Sequence, residues 1–535
     1  MTKTKPPRFQ IHTLGCKVNQ YDSENLRTQL LRQGYVSAQN EPTDKLDLIV
    51  VNTWSVTSES DRKGRQMIRK LIRKHQPDAT IVVGGHIANL PQLAKYADVD
   101  HIVRGDGIRW MRRYLGEDER KPIRHPVVRA NIGTRIMGVN LKEHPGDACA
   151  TLIPSVGCPI GCNFCSTSAM FGGKGKFIEY YRTGDELFEV MNQLASQLHV
   201  KAFFVMDENF LLDQKRALRL LELMEEHEKP WSLYVFSSAN VLQKYSMEQL
   251  VALGVSWVWL GLEGKESQYT KLVGTDTVQF VKKLQDHGIR VLGSSIIGLE
   301  THTPENIDEA IEHAVSHNTE FHQFMLYTPI PGTALFAEHE ANDSLKSLSE
   351  VSIADIHGQF VFNYRHPHIQ DGQESEYLLR AFRRDFEVNG PSVVRIVRTV
   401  LHGWKKYKRH PNPRVRKRFA HEASNLPERY AGVLWATRRR FAHDPKRVRE
   451  IDQLLNELQQ EFGWRSKIAA PIAGRYLYSR LRRQEQWLKD GWTYEPPTFY
   501  ETNCAGGGPV AANVEGVLPR GLQSSTSSMK TKVPS

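Results

Sequence analysis

The stretch GCPIGCNFC, residues 157–165, sets Cys158, Cys162 and Cys165 in one short loop of a chain that has only six cysteines. Clustered thiols in so long a chain suit a reducing compartment, where they bind metal rather than form disulfides. The Cys-x3-Cys-x2-Cys spacing is too compact for a tetrahedral zinc fold, and no fourth Cys or His lies nearby to close one. Three thiolates on a four-iron cluster leave one iron open for a further ligand. A structural zinc completed by a distant residue is the alternative on these residues alone. Cys16, Cys149 and Cys504 stand apart and read as incidental.

Such a loop needs a rigid edge to hold it. It follows ATLIPSVG, which reads as a strand and opens a series with KAFFVMD, WSLYVFSSA, VSWVWLGLEG, IRVLGSSIIGLE and FHQFMLYTPI. Helical stretches such as RALRLLELMEE separate them, so six strands with crossovers predict a partial barrel open on one side. Ahead of it, residues 8–120 alternate strand and helix: RFQIHTLG, SENLRTQLLRQGY, LDLIVVNT, SDRKGRQMIRKLIRK, ATIVVGG and HIVRGDG. This is the pattern of a doubly wound parallel sheet, whose ligands bind at the carboxyl ends of the strands. The α/β reading gives a Rossmann-like domain over 1–120, a linker over 121–148 and a barrel over 149–345. A basic helical domain over 346–503 and a disordered tail over 504–535 complete it.

The formal charge of +11 and pI near 9.2 favour an acidic partner. No signal-peptide core and no run of about 18 apolar residues appears, which predicts a cytoplasmic protein. Residues 391–418 carry ten Lys and Arg without an acid, with Val397, Leu401 and Trp404 at helical spacing. That pattern predicts an interfacial helix on an anionic membrane surface, peripheral on the inner face, and points less to nucleic acid.

With CxxxCxxC behind the first barrel strand, the sequence resembles the radical S-adenosylmethionine (SAM) superfamily. The resemblance implies a 4Fe-4S cluster on Cys158, Cys162 and Cys165, SAM on the open iron, and reductive cleavage of SAM to a 5'-deoxyadenosyl radical. It also implies an electron donor of flavodoxin or ferredoxin type. It places Phe164 near the adenine, and Asp207, Glu208 and Asn209 of MDENF toward the SAM amino group. Glu263 of LGLEG would take the ribose hydroxyls. Gly293, Ile296 and Gly298, in the element Gly293 to Glu300, would let adenine approach the backbone.

The first domain resembles two relatives. IHTLGCKVNQYDSENL and VNTWSVTSESDRKGRQMIRK look like methylthiotransferases, whose three cysteines here hold a second cluster. Cys16 matches the first, but Trp54 and Gly85 stand at the others, and one thiolate cannot retain that cluster. IVVGGHIANLPQLAKYADVDHIVRGDG is similar to the cobalamin-binding class. That similarity implies cobalamin contacts at Gly15, Trp54, Ser55, Gly84, Gly85, His86, Gly105, Asp106 and Gly107. Gln10 replaces the Asp of the D-x-H-x-x-G loop, so His12 reads as a strand histidine rather than a cobalt ligand. The expected function is cobalamin-dependent methylation of an unactivated carbon, with a lipid as candidate substrate. The alternatives are a methylthiotransferase acting on tRNA or protein, and a non-catalytic iron-sulfur and cobalamin sensor.

Overall fold

A computed structural model describes residues 5–490, except 15–16, 40–44, 54–57, 86–87, 89–97, 120–124, 128, 132–134, 137–138, 141–147, 264–275, 348, 352–357 and 359. The expectations for Gly15, Cys16, Trp54, Ser55, His86, Cys504 and the 504–535 tail therefore lie outside the described residues. Strands β1 (Arg8–Thr13), β2 (Val36–Ser37), β3 (Leu48–Thr53), β4 (Thr80–Gly85) and β5 (His101–Ile102) form a parallel sheet in the order β2-β1-β3-β4-β5. The order reverses between β1 and β3, the switch point of a doubly wound sheet. All six residues of β3 are buried because both of its faces are covered. Ile49 and Val51 pack with Ile68 and Leu71 of helix Ser58–His75. Leu48 and Val50 pack with Leu26 and Leu30 of helix Lys17–Arg32 and Met111 of helix Gly107–Tyr114.

The stretch expected to be a linker is partly strand. It holds β6 (Arg129–Asn131), β7 (Arg135–Ile136) and β8 (Val139–Asn140); β7 pairs with β8, and β6 runs antiparallel to β9 (Ala148–Leu152). Short β10 (Ser155–Val156) and β11 (Ile178–Glu179) pair with each other on either side of the cysteine loop. Parallel strands β12 (Ala202–Val205), β13 (Ser232–Ser237), β14 (Val255–Glu263), β15 (Arg290–Ile297) and β16 (Phe321–Leu326) extend from β9. The sheet order is β16-β15-β14-β13-β12-β9-β6, with β16 and β6 as its open edges. Phe203, Val205, Leu233, Val235, Val258 and Leu260 share one core with Leu187, Met191, Leu220 and Met224 of the flanking helices.

Six helices and one π turn follow from Gln373 to Lys489. Here the expectation of an interfacial helix at 391–418 fails. Val397 and Leu401 are 0 % exposed, and Trp404 stacks on Phe462 at 6.0 Å. Arg395 is buried against Asp385 at 2.9 Å, and Lys405 pairs with Glu457 at 2.8 Å. Arg414 and Arg418 are buried as well. The apolar stripe is therefore protein core, and much of the charge is used internally. Helical periodicity alone does not distinguish a protein core from a bilayer. No described helix is long and apolar enough to cross a membrane.

The helix Pro413–Ala423 also closes one end of the barrel. Its Glu422 accepts from Ser232 Oγ at 2.9 Å and from Arg290 at 2.8 Å, at the starts of β13 and β15. Arg418 Nε lies 3.4 Å from the same carboxylate. These contacts sit at the amino ends of the strands, opposite the cysteine loop.

Candidate active site

The cysteine loop leaves β10 and enters the helix Ser166–Met170. Gly157 has φ +85° and Gly161 φ +71°, conformations that favour glycine. A Cβ at Gly157 would approach Phe171 to 2.7 Å, and one at Gly161 would approach Lys174 to 2.5 Å. Ser168 Oγ donates to the Cys158 carbonyl at 2.8 Å, Cys165 N donates to the Cys162 carbonyl at 3.0 Å, and Gly175 N donates to the Pro159 carbonyl at 2.8 Å. The three cysteines are partly buried. Burial pushes the Cys158 thiol up to about 11, opposed by a backbone bond from Ile160, and the nearby charges of Cys165, Cys162 and Glu208 push it further in that direction. A bound cation reverses this balance and deprotonates a coordinating thiol. No three His, Cys, Asp or Glu side chains among the described residues converge as on a single ion. A four-iron cluster spreads its thiolates over a larger body than one ion does, and three free cysteines in one loop are the donor set such a cluster takes.

The carboxyl ends of the neighbouring strands give Asp207, Glu208 and Asn209 different work. Asp207 is buried, paired with Arg216 at 3.0 Å, bonded to Ser155 Oγ and accepting from Asn209 N at 3.1 Å. Asn209 donates to Ser238 Oγ at 3.2 Å and accepts from Ser237 Oγ at 3.0 Å. Both side chains brace the strand ends through these internal partners. Glu208 differs. Its buried Oε2 has no hydrogen-bond partner, while its carboxylate interacts with the Gly157 backbone beside Cys158. Burial, with Asp207 adding, pushes its carboxyl up to about 7. A buried carboxylate oxygen left open next to the thiols is suited to an ammonium group.

Glu263 is buried at the end of β14 with φ +34°. Ile296 belongs to a core with Phe324 and Phe362, against which Phe164 packs, and Tyr327 meets the Phe164 ring edge-on at 6.3 Å. Phe164 thus packs against the core to which Ile296 belongs. At Gly298 and Gly293 the protein itself approaches closely. A Cβ at Gly298, φ +75°, would lie 2.4 Å from Phe362, and one at Gly293 would lie 2.8 Å from Leu262.

One feature of the open sheet face escaped the sequence reading. Phe203, Val205, Val235, Val258 and Leu260 point into the helix-side core, so by strand alternation Phe204, Phe236 and Trp259 line the opposite, concave face. These three are half-buried and form a row, with ring centroids 5.9 Å and 5.0 Å apart. The signal was present as alternation within KAFFVMD, WSLYVFSSA and VSWVWLGLEG. Arg216, which neutralises Asp207, was likewise missed.

In the first domain, His12 lies near His75 and Lys70, and burial lowers its pKa first, with those two charges adding. It is a strand histidine beside the helix Ser58–His75. Gly85, φ +83°, cannot carry a side chain: a Cβ would fall 2.1 Å from the Thr53 carbonyl oxygen. A Cβ at Gly84 would make ordinary contact with Val103 at 3.9 Å. Asp106 caps the helix that begins at Gly107, accepting from Ile108 N at 2.9 Å and Arg109 N at 3.2 Å. Asp106 thus has a structural duty at the start of this helix. At the switch point, Asn19 and Asn52 exchange amide bonds of 3.0 Å and tie β3 to the first helix. A Cβ at Gly105 would lie 3.4 Å from the Met170 carbonyl oxygen, so the end of the first sheet adjoins the helix that follows Cys165.

Comparison with known proteins agrees with this architecture. Residues 152–314 match the radical SAM superfamily, and residues 8–103 match the uncharacterized protein family UPF0004. An uncharacterized methyltransferase of Pyrococcus horikoshii is 27 % identical over 203 residues, covering 37 % of this chain and 43 % of that protein. The threonylcarbamoyladenosine tRNA methylthiotransferase MtaB of Bacillus subtilis is 32 % identical over 160 residues, covering 29 % of this chain and 34 % of that one. The chain thus spans less than half the length of these curated relatives. The structure of the radical SAM methyltransferase TsrM from Kitasatospora setae, with cobalamin and a 4Fe-4S cluster bound, shares the fold. Its TM-score is 0.50 at 17 % identity, over 78 % of this chain and 99 % of that one. Residues 152–314 thus form a radical SAM domain, which follows a UPF0004 domain over residues 8–103.

Proposed function

We propose that the protein is a cobalamin-dependent radical SAM methyltransferase acting on an unactivated carbon. The observation that carries this reading is the open Glu208 oxygen beside the Cys158, Cys162 and Cys165 loop. Those cysteines would hold a 4Fe-4S cluster, and Glu208 would take the SAM amino group. Phe164 and Tyr327 would wall the adenine side. When bound, the cluster and SAM supply the radical that abstracts hydrogen, an external flavodoxin- or ferredoxin-type donor supplies the electron, and cobalamin supplies the methyl group. The row Phe204, Phe236 and Trp259 would give the substrate an aromatic floor, while the Glu422 contacts would close the far end. The approach of Gly105 to Met170 supports delivery of a group from the first domain to the barrel. The methylthiotransferase alternative needs thiols where Trp54 and Gly85 stand, and the backbone at Gly85 admits none.

Anaerobically reconstituted protein is expected to show iron-sulfur absorption, to convert SAM to 5'-deoxyadenosine and to retain cobalt when given cobalamin. Ala at all three positions of the loop should abolish the first two. Retained absorption in that variant would move the cluster elsewhere, and failure to retain cobalt would remove methyl transfer from the proposal. Absence of 5'-deoxyadenosine despite an intact cluster would favour a sensor.

A further inference from the structure

The last described helix, Trp464–Lys489, has two unlike faces. Ser466, Ala470, Gly474 and Leu477 are buried, and a Cβ at Gly474 would approach the Trp435 ring to 2.5 Å. That face is fastened to the helix Ala431–Arg440. On the other side Trp464, Ile468, Ile472 and Tyr476 are 72 %, 53 %, 64 % and 58 % exposed. At about 100° per residue, steps of four keep these side chains within an arc of roughly 120°, turned away from the buried set. Arg475, Arg482 and Arg483 are exposed and fall on or beside the same arc. The helix carries seven basic residues, Arg465, Lys467, Arg475, Arg480, Arg482, Arg483 and Lys489, and one acid, Glu485; Arg465 is paired with Glu428 at 2.6 Å and Glu485 with Arg440.

A contiguous row of large exposed apolar side chains marks an interaction surface. We infer that this helix docks on an anionic bilayer surface, with Trp464, Ile468, Ile472 and Tyr476 at the headgroup boundary and the flanking arginines against lipid phosphates. Charge complementarity selects this occupant. A second copy packed on the stripe with its helix parallel would set Arg475, Arg482 and Arg483 against their own counterparts, and one packed antiparallel about the stripe's centre would bring Arg475 toward Arg465. An anionic surface accepts the same arginines, and aromatic residues with basic neighbours are the composition of an interfacial helix. The inference is independent of the cofactors and of the reaction.

Full-length protein is centrifuged with vesicles of phosphatidylcholine alone and of phosphatidylcholine with phosphatidylglycerol. It is expected to sediment with the second far more than with the first. Ile468→Glu with Ile472→Glu should lower the partition coefficient about tenfold or more, with the melting temperature unchanged because both side chains are mostly exposed. Trp464→Ser is a second, milder variant and should weaken sedimentation in the same direction. No sedimentation with phosphatidylglycerol vesicles, or equal sedimentation of wild type and variants, overturns the inference. A dimer seen by analytical ultracentrifugation and lost in the double variant would also overturn it, by giving the stripe to a second copy.

Discussion

Replacing Glu422 with Gln removes the carboxylate that joins the helical region to the base of the barrel. In the native protein Oε2 accepts from Arg290 at 2.8 Å, while Oε1 accepts from Ser232 at 2.9 Å and lies 3.4 Å from Arg418. The side chains of Glu422, Arg290 and Arg418 are only 8 %, 10 % and 3 % exposed, so both guanidiniums would lose their shared counter-charge away from water. Removing one partner of a buried ion pair costs about 3–5 kcal/mol. The lower end applies here because other bonds survive: Arg290 Nε still donates to the Ser256 carbonyl at 3.1 Å, and Arg418 to the Val251 carbonyl at 2.9 Å. A loss of about 3 kcal/mol speeds cleavage through the opened state roughly a hundredfold. Native-state proteolysis of the helix Pro413–Ala423, with urea unfolding in parallel, measures this directly. A shift under about 1 kcal/mol, the range of solvated surface pairs, would refute the argument that the cluster is buried and coupled.

Three further outcomes are expected. Glu208→Gln should leave iron content unchanged and weaken SAM binding about 10- to 100-fold, the scale of one charge-assisted hydrogen bond; an unchanged SAM dissociation constant counts against its assignment. His125, whose Nε2 accepts from Ile153 N at 3.2 Å, is pushed by burial down to about 4, so its folded pKa lies below the unfolded value of 6.5. Its contribution is therefore complete above pH 6.5 and is lost as pH falls through 4, on the order of 3 kcal/mol in all, and urea midpoints at pH 7 and pH 5 should separate less in His125→Asn than in the native protein. Trp404→Ser should destabilise by about 3 kcal/mol through lost packing on Phe462 while leaving vesicle sedimentation unchanged, and the reverse pattern would return the stripe at 391–418 to the membrane.

The sequence made legible what is local. GCPIGCNFC carries its ligands and its two turn glycines within nine residues, and LDLIVVNT announces a strand buried on both faces by its unbroken apolar run. β6 was illegible because Arg-Ala-Asn has no strand pattern of its own; it becomes a strand by pairing with β9. The duty of Asp207 was illegible because Arg216 lies on the following helix and Ser155 lies 52 residues earlier. The stripe at 391–418 was legible as amphipathic, but its covering came from Phe462 and the neighbouring helices, which no local pattern specifies.

Asp207 and Glu208 show why this matters for the chemistry. Two adjacent acids just beyond β12 look interchangeable in MDENF, yet in the turn that follows the strand they meet different surroundings. Asp207 turns into the core, where burying a carboxylate requires a cation, and Arg216 supplies it. With that charge neutralised, the second acid faces the cysteine loop without a protein cation bonded to its outer oxygen. Arg216 also donates to the Tyr181 carbonyl at 3.2 Å, two residues beyond β11, so one guanidinium fixes both the strand end and the far side of the loop. The geometry that leaves Glu208 open for a ligand therefore depends on a residue that touches no ligand in the proposed site.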